Sequence, residues 1–213
     1  EAKLLKVATS DNVLKLDKDI KDEVRARIFK NMLVNLNEVL KYAEEHNCAI
    51  GSFNTPNLEN MVAVISAAEE LNVPVIIMHA QCHEQDAHLD IVGPVMLLMA
   101  KRAKVPVCVH LDHCEDLDYL KRAIDLGFTS VMLDASSKPY DENVRMTKEA
   151  VRLAHAKNVS VEAEIGVLGG REAGDQKPLT KEEMYTDPEL AKRFVEDTHI
   201  DALACSFGTA HGI

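Results

Sequence analysis

Apolar runs alternate with helical patterns along most of the chain. Six short runs, rich in β-branched residues, have the length and composition of buried strands. They are Cys48–Phe53, Val73–Met78, Val105–Leu111, Ser130–Leu133, Val159–Ile165 and Asp201–Phe207. Because the runs are apolar on both faces, we predict a parallel sheet that is covered by helices.

The segments between the runs carry helix start and stop signals. Asn35 precedes an apolar pattern at helical spacing, and Thr55-Pro56 predicts an N-cap followed by proline at the first helical position. Asp116 predicts another capped start, with Gly127 ending that helix, and Asp187-Pro188 repeats the start signal. The alternation is compatible with a (β/α) barrel or with a doubly wound sheet.

The third run ends in the tetrapeptide His110-Leu111-Asp112-His113. Alternate residues of a strand share a face, so His110 and Asp112 are predicted to point the same way, with His113 at or just past the strand end. Imidazoles can hold a metal ion while a carboxylate moves a proton, which suits metal-assisted chemistry. The alternative is a buried His–Asp pair that only orients the strand end.

Other polar residues also lie at the ends of predicted strands. They are Asn54 after the first strand, Asp134 after the fourth, Glu162 and Glu164 on the fifth, and His211 after the sixth. A barrel gathers many strand ends around one mouth, whereas an open sheet gathers two at its switch point. We therefore predict an α/β fold of the TIM (β/α)8-barrel type.

Composition and charge limit the class of partner. The net charge of -11 argues against nucleic acid or an anionic membrane, although a few backbone amides can still hold a phosphorylated substrate. Five scattered cysteines without a C-x-x-C pair favour reduced thiols and a cytoplasmic location. Apolar stretches are too short to span a bilayer, and the acidic, mixed-charge start is unlike a signal peptide.

Several consecutive motifs resemble the class II, zinc-dependent ketose-bisphosphate aldolases, over Met32 to Ile213. These motifs are VPVCVHLDH (Val105–His113), GFTSVMLDAS (Gly127–Ser136), VSVEAEIGVLGG (Val159–Gly170), YTDP (Tyr185–Pro188) and GTAHG (Gly208–Gly212). The resemblance implies cleavage of fructose- or tagatose-1,6-bisphosphate to dihydroxyacetone phosphate and glyceraldehyde 3-phosphate, with Zn2+ as cofactor. It divides the chain into an extension over residues 1–31 and a partial barrel over residues 32–213.

The same resemblance implies roles for the catalytic residues. His113 and His211 match two zinc ligands, and Asp112 matches the carboxylate that exchanges a proton with the C4 hydroxyl during carbon–carbon cleavage. Glu172 matches a loop glutamate that handles the proton on the dihydroxyacetone carbon. A solvated loop charge is the alternative interpretation of Glu172.

Further matches concern the surroundings of the metal and the substrate. Asp134 and Glu164 match residues around a second metal position, or else they orient ligand histidines. Asn54 matches a substrate-pocket amide, with a plain turn residue as the alternative. Gly208 and Gly212 would let the backbone approach phosphate or metal, or are ordinary loop glycines.

Three features depart from the family pattern. The segment His79–His83, together with His88, is either a divergent pocket loop or a separate metal site. Cys114 replaces a frequent glycine and either crowds the metal or is tolerated. The sequence ends at Ile213, directly after the sixth-strand motif, so about six of the eight β/α units are present and the third zinc histidine is not.

The leading hypothesis is a metal-dependent aldolase that acts on a small phosphorylated sugar as a homodimer or homotetramer. One alternative is a non-catalytic barrel fragment that needs a partner chain, because six strands alone leave unpaired edges. Another is a related metal-dependent lyase with a different phosphorylated substrate, which the altered segment His79–His83 would favour.

Overall fold

The computed structural model describes residues 32–166 and 185–206, which form a half-barrel of parallel strands with helices on its outer side. The strands are β1 Leu33–Val34, β2 Ser52–Asn54, β3 Val75–Ala80, β4 Val107–Cys114, β5 Ser130–Leu133, β6 Ser160–Ile165 and β7 Ala202–Cys205. The helices are α1 Leu36–His46, α2 Leu58–Leu71, α3 Leu89–Arg102, α4 Leu117–Leu126, α5 Tyr140–His155 and α6 Pro188–Thr198, with a short 3-10 helix over Gln81–Gln85.

The sheet runs in sequence order from β2 to β7, and all of its pairings are parallel. The short strand β1 pairs separately with the start of β4. Sequential parallel strands joined by helices are the arrangement of a TIM-type barrel, so the predicted fold class is confirmed for six strands. No helix within the described residues combines the length and apolarity needed to cross a membrane.

The two faces of the sheet differ in chemistry. The face toward the helices is apolar along its length and belongs to the main core, which includes Ile77, Val109, Val131 and Val161. The opposite, concave face carries polar side chains toward the carboxyl ends of the strands, among them Asp112 in β4, which is in register with Ala80. The prediction that the strands are apolar on both faces therefore holds only in part for the concave face, where Ile76 and Cys108 are apolar and Asp112 is not.

Helix α1 closes the amino-terminal end of the concave face. Its Leu36 and Val39 pack in a second apolar cluster with Ile76 and Cys108. Asn35 is the N-cap of this helix: its side chain accepts a hydrogen bond from the Glu38 N–H, and the Glu38 side chain accepts one from the Asn35 N–H. Polar side chains of the concave face, Asp112 among them, gather at the carboxyl end, where a barrel has its mouth, while Ser130 and Ser160 lie buried at the starts of β5 and β6.

The cap predictions are confirmed at Asp116, Gly127 and Asp187, each of which occupies the predicted position. The predicted start at Thr55-Pro56 is wrong. Helix α2 begins at Leu58, because Asn57 accepts a hydrogen bond from the Asn60 N–H at 2.9 Å and is the N-cap. Thr55 instead continues the β2–β3 ladder, with its N–H donating to the Met78 carbonyl at 3.0 Å.

Thr186 joins the carboxyl ends of β6 and β7. Its hydroxyl donates to the Ile165 carbonyl at 3.3 Å and accepts from the Ser206 N–H at 2.8 Å. Its own N–H donates to the Ser206 carbonyl at 2.7 Å. Gly166 passes so close that a Cβ there would lie 2.5 Å from the Thr186 Oγ1, and its φ of +100° also favours glycine.

Replacement of Thr186 by valine keeps the shape of the side chain but removes both hydroxyl contacts. We expect Thr186→Val to lower the free energy of unfolding by about 1–3 kcal/mol, because the Ser206 N–H loses its acceptor. Thr186→Ser keeps the hydroxyl and is the matched control, with a smaller loss. Urea denaturation measures both variants, and equal stability of Thr186→Val and the wild type would contradict this account of the bridge.

Candidate metal centre

An irregularity in β4 shapes the site. The pairing register between β4 and β5 shifts between Leu111 and Cys114, and His113 has a φ of 41°. In a regular strand, Asp112 and His113 would point to opposite faces of the sheet. The left-handed backbone at His113 turns the direction of its side chain. The side chains of Asp112 and His113 therefore both lie at the mouth of the half-barrel. A positive φ at a residue other than glycine is costly and is typical of functional sites.

His113 meets two carboxylates there. Its Nδ1 lies 3.2 Å from the Asp134 Oδ2, and the potential ligand atoms of His113, Asp134 and Glu164 all lie within 4.8 Å of one another. They reach this point from the ends of β4, β5 and β6, as the strand-end pattern predicts. One imidazole and two carboxylates are donors that suit a divalent transition metal, so this group fits the implied cofactor.

Ser136 contacts both carboxylates, and Asn143 holds the backbone of Glu164. The Ser136 hydroxyl donates to the Asp134 Oδ1 at 2.6 Å and lies 3.4 Å from the Glu164 Oε1. The Asn143 side chain donates to the Glu164 carbonyl at 2.9 Å. Neither Ser136 nor Asn143 was predicted from the sequence to take part in the site. The Asp-x-Ser spacing could have indicated Ser136, because its N–H also donates to Asp134 in a local turn.

His113 and Asp134 each stabilise the charged form of the other. The hydrogen bond to Asp134 raises the pKa of His113 to about 9, although burial opposes this shift. Burial of Asp134 would raise the pKa of its carboxyl, but the hydrogen bonds from His113 and Ser136 outweigh it and lower this pKa to about 2. Without a metal, the pair is therefore an imidazolium and a carboxylate at neutral pH.

Asp112 lies beside this group and is oriented from the edge of the sheet. The Asn54 side-chain amide donates to the Asp112 Oδ2 at 3.0 Å. Asn54 is on β2, two strands away, and the small Ala80 of β3 is in register with Asp112. The structure thus brings the predicted pocket amide and the predicted proton-exchanging carboxylate into contact.

His110 lies deeper than the metal group and is not a member of it. Its Nδ1 is 2.7 Å from the Ser130 Oγ, and its Nε2 is 3.5 Å from Glu162. Burial lowers the pKa of His110 to about 4, and burial together with the Asp112 charge raises the pKa of Glu162 to about 7. His110 is hence a buried, hydrogen-bonded imidazole, and its partner is a serine rather than Asp112.

His79, near the carboxyl end of β3, takes part in a different network. The His79 Nε2 lies 3.1 Å from the Tyr119 hydroxyl, which donates to Glu84 at 2.6 Å. Within the described ranges, the His, Cys, Asp and Glu side chains that converge in a group of three are those of the His113 site, so a separate metal site here is not supported. Cys114 is buried in the main core and does not crowd the site.

Four predicted site residues lie outside the described part of the chain. They are Glu172, His211, Gly208 and Gly212, and their roles stay predictions.

Removal of the Asp134 charge should change the titration of His113. In the metal-free protein, we expect the His113 ring to titrate near pH 9, and Asp134→Asn to return this midpoint toward about 6.5. Because the pKa of His113 is raised and that of Asp134 is lowered, the pair stabilises the fold fully between about pH 4 and pH 6.5. This contribution is lost as the pH rises through 9 or falls through 2.

NMR titration of the imidazole Cε1 protons measures the midpoint directly. The control is Glu115→Gln, which removes a nearby charge at a residue outside the group. A His113 midpoint that is the same in the wild type and in Asp134→Asn would show that this hydrogen bond does not form.

Comparison with known proteins agrees with this geometry. Residues 34–213 match the sequence model of the family described as "Fructose-bisphosphate aldolase class-II". Residues 1–34 match that of the CtsR C-terminal dimerization domain. The chain is similar to the YdjI aldolase from Escherichia coli K12, with a TM-score of 0.73 and 35% identity, over 84% of this chain and 64% of that one.

Two relatives by sequence are aldolases named for different substrates. The chain is 45% identical to a fructose-bisphosphate aldolase of Giardia intestinalis, over 84% of this chain and 55% of that protein. It is 42% identical to a 6-phospho-5-dehydro-2-deoxy-D-gluconate aldolase of Halalkalibacterium halodurans, over 84% of this chain and 62% of that protein. The chain thus spans between half and two thirds of the length of these relatives. By its family match, its fold and these identities, the chain belongs to the class II fructose-bisphosphate aldolase family.

Proposed function

We propose that this chain contributes the metal-binding and proton-transfer groups of an aldolase that cleaves a ketose 1,6-bisphosphate with Zn2+. The observation that carries the proposal is the convergence of His113, Asp134 and Glu164 beside the oriented carboxylate of Asp112. The products would be dihydroxyacetone phosphate and glyceraldehyde 3-phosphate, as the family resemblance implies.

Zinc suits the donor set, because imidazole is a common zinc ligand and carboxylates complete many catalytic zinc sites. His113 would bind through its neutral imidazole, with Asp134 and Glu164 either as ligands or as partners that orient it. When bound, the ion would act as a Lewis acid on the ketose carbonyl. His211 remains the predicted second histidine ligand.

Asp112 is the proposed base for the C4 hydroxyl. Its hydrogen bond from Asn54 holds one oxygen and thereby fixes the direction of the other. Transfer of the hydroxyl proton to Asp112 lets the C4 oxygen form the aldehyde carbonyl as the C3–C4 bond breaks. The electron pair of that bond stays on the three-carbon product, and Glu172 is the predicted donor of the proton that C3 then takes up.

The choice of substrate lies between a ketose 1,6-bisphosphate and a different phosphorylated compound. The name of the Giardia relative favours fructose 1,6-bisphosphate, and tagatose 1,6-bisphosphate differs from that sugar at a single carbon. The Halalkalibacterium relative, named for a different phosphorylated substrate, favours a related lyase. The divergent segment His79–His83, which runs from the carboxyl end of β3 into the 3-10 helix, is the feature of this chain that supports the second candidate.

We also propose a binding partner and a cellular location for this protein. A small phosphorylated sugar is the proposed partner, because the net charge of -11 opposes nucleic acid and anionic membranes. Free cysteines at positions 48, 82, 108, 114 and 205 are compatible with the proposed cytoplasmic location.

Activity of the zinc-loaded protein tests the proposed reaction. We expect cleavage of fructose or tagatose 1,6-bisphosphate that a chelator abolishes and added zinc restores. Asp112→Asn should lower kcat by about 10²–10⁴-fold, because it keeps the shape of the side chain but cannot accept the proton. A coupled assay for the triose phosphates measures both effects.

Glu115→Gln is the matched control, since Glu115 follows the same strand and is exposed, and it should keep wild-type kcat. Cleavage of 6-phospho-5-dehydro-2-deoxy-gluconate in place of the bisphosphates would favour the second substrate. Failure of the zinc-loaded protein on all three compounds would contradict an aldolase function and favour the non-catalytic barrel fragment.

A further inference from the structure

The regular pairing of β3 with β4 ends just before His113. Ala80 and Asp112 are the last two residues of these strands that are in register. On the other side of β4, the pairing with β5 resumes at Cys114, which is in register with Leu133. The left-handed backbone of His113, with its φ of 41°, is costly for a residue other than glycine and persists only where the surrounding contacts enforce it. The contacts on each side of this residue therefore decide whether it keeps its conformation.

A side chain of the turn after β3 holds the backbone just beyond His113. The Glu115 N–H donates to the Gln81 Oε1 at 2.9 Å. Gln81 directly follows the last residue of β3, so the acceptor beside β4 is here a side-chain oxygen rather than a strand carbonyl. The bond involves the backbone N–H of Glu115, which is itself an exposed residue. It links the turn to the segment that carries the proposed metal ligand.

The turn that carries Gln81 is anchored on both sides of this residue. Three residues further on, the Glu84 carboxylate accepts from the Leu89 N–H at 2.8 Å and from the Tyr119 hydroxyl at 2.6 Å. Two residues before Gln81, the Nε2 of the fully buried His79 lies 3.1 Å from the same hydroxyl. The backbone of Gln81 is therefore fixed at two nearby points, and its amide has a defined place beside β4.

The geometry of this network also fixes its protons. The Tyr119 hydroxyl donates to Glu84, so its oxygen accepts from the Nε2–H of His79. Burial lowers the pKa of His79, which keeps the ring neutral with its proton on Nε2. A buried tyrosine and a buried histidine thus anchor the turn, and the divergent segment His79–His83 supports the site from the side of β3.

We propose that Gln81 is a positioning residue for His113. Its hydrogen bond from the Glu115 N–H holds the left-handed turn at His113, and this turn directs the imidazole toward the two carboxylates of the metal group. Without the bond, the costly φ of His113 relaxes toward the values of a regular strand, and the ring turns away from the mouth. The inference rests on the proposed function, in which His113 is a metal ligand.

Three substitutions separate the hydrogen bond from the shape of the side chain. Gln81→Met keeps the length of the side chain but removes the acceptor. Gln81→Glu keeps an oxygen acceptor and is the conservative variant. Gln85→Met is the matched control, because Gln85 ends the same 3-10 helix and is exposed.

Backbone NMR of the metal-free protein tests the contact and its effect on His113. In Gln81→Met, we expect the Glu115 amide hydrogen to exchange about 2–10-fold faster, which corresponds to the loss of one hydrogen bond. The three-bond coupling between the amide and α hydrogens of His113, which reports φ, should move toward the value of a regular strand. Gln81→Glu and Gln85→Met should keep the wild-type coupling.

Calorimetric titration with Zn2+ connects this geometry to the metal group. The zinc affinity should fall about tenfold in Gln81→Met, at the lower end of the loss for groups that orient metal ligands. It should not fall in Gln81→Glu, and it should stay within about twofold of the wild type in Gln85→Met.

Three results would overturn the proposal. They are a His113 coupling that is the same in Gln81→Met and in the wild type, a zinc affinity that Gln81→Met leaves unchanged, and an equal loss of zinc affinity in Gln81→Glu or Gln85→Met. A wild type that binds no zinc would contradict the proposed function instead, and the His113 coupling in Gln81→Met would then decide the role of Gln81 by itself.

Discussion

The site depends on a local departure from strand geometry at His113. Two adjacent residues of a regular strand point to opposite faces, so a carboxylate and its neighbouring imidazole cannot normally serve the same side. The register shift and the left-handed backbone at His113 remove this restriction. Asp112 can then meet Asn54 while His113 meets Asp134, and the proton-transfer and metal-binding groups come from one segment of chain.

The rest of the half-barrel keeps this segment in place. The helix-facing side of the sheet is a continuous apolar core, and α1 covers the amino-terminal end of the other side. The ends of β4, β5 and β6 each contribute one side chain to the metal group, while His110 and Glu162 lie deeper on the same face. Burial at this end makes the charges interdependent: the pKa of His113 is raised and that of Asp134 is lowered, each by the other.

Much of the fold could be predicted from the sequence, because buried parallel strands and capped helices leave strong local signals. The strand Ser130–Leu133 has the predicted limits, and Asp134 lies at its end as expected. The irregularity at His113 was not predicted, since it results from how β4 packs against β5 rather than from local propensity. The support from Ser136 was also missed, because a serine in a turn is usually exposed to water.

Calorimetric titration of the metal-free protein with Zn2+ tests the central claim most directly. We expect one zinc ion to bind per chain. The affinity for zinc should fall by about 10–100-fold in His113→Ala and in Glu164→Gln. His88→Ala, which removes an exposed histidine outside the group, should bind zinc like the wild type. Unchanged zinc affinity in His113→Ala would contradict the assignment of this site.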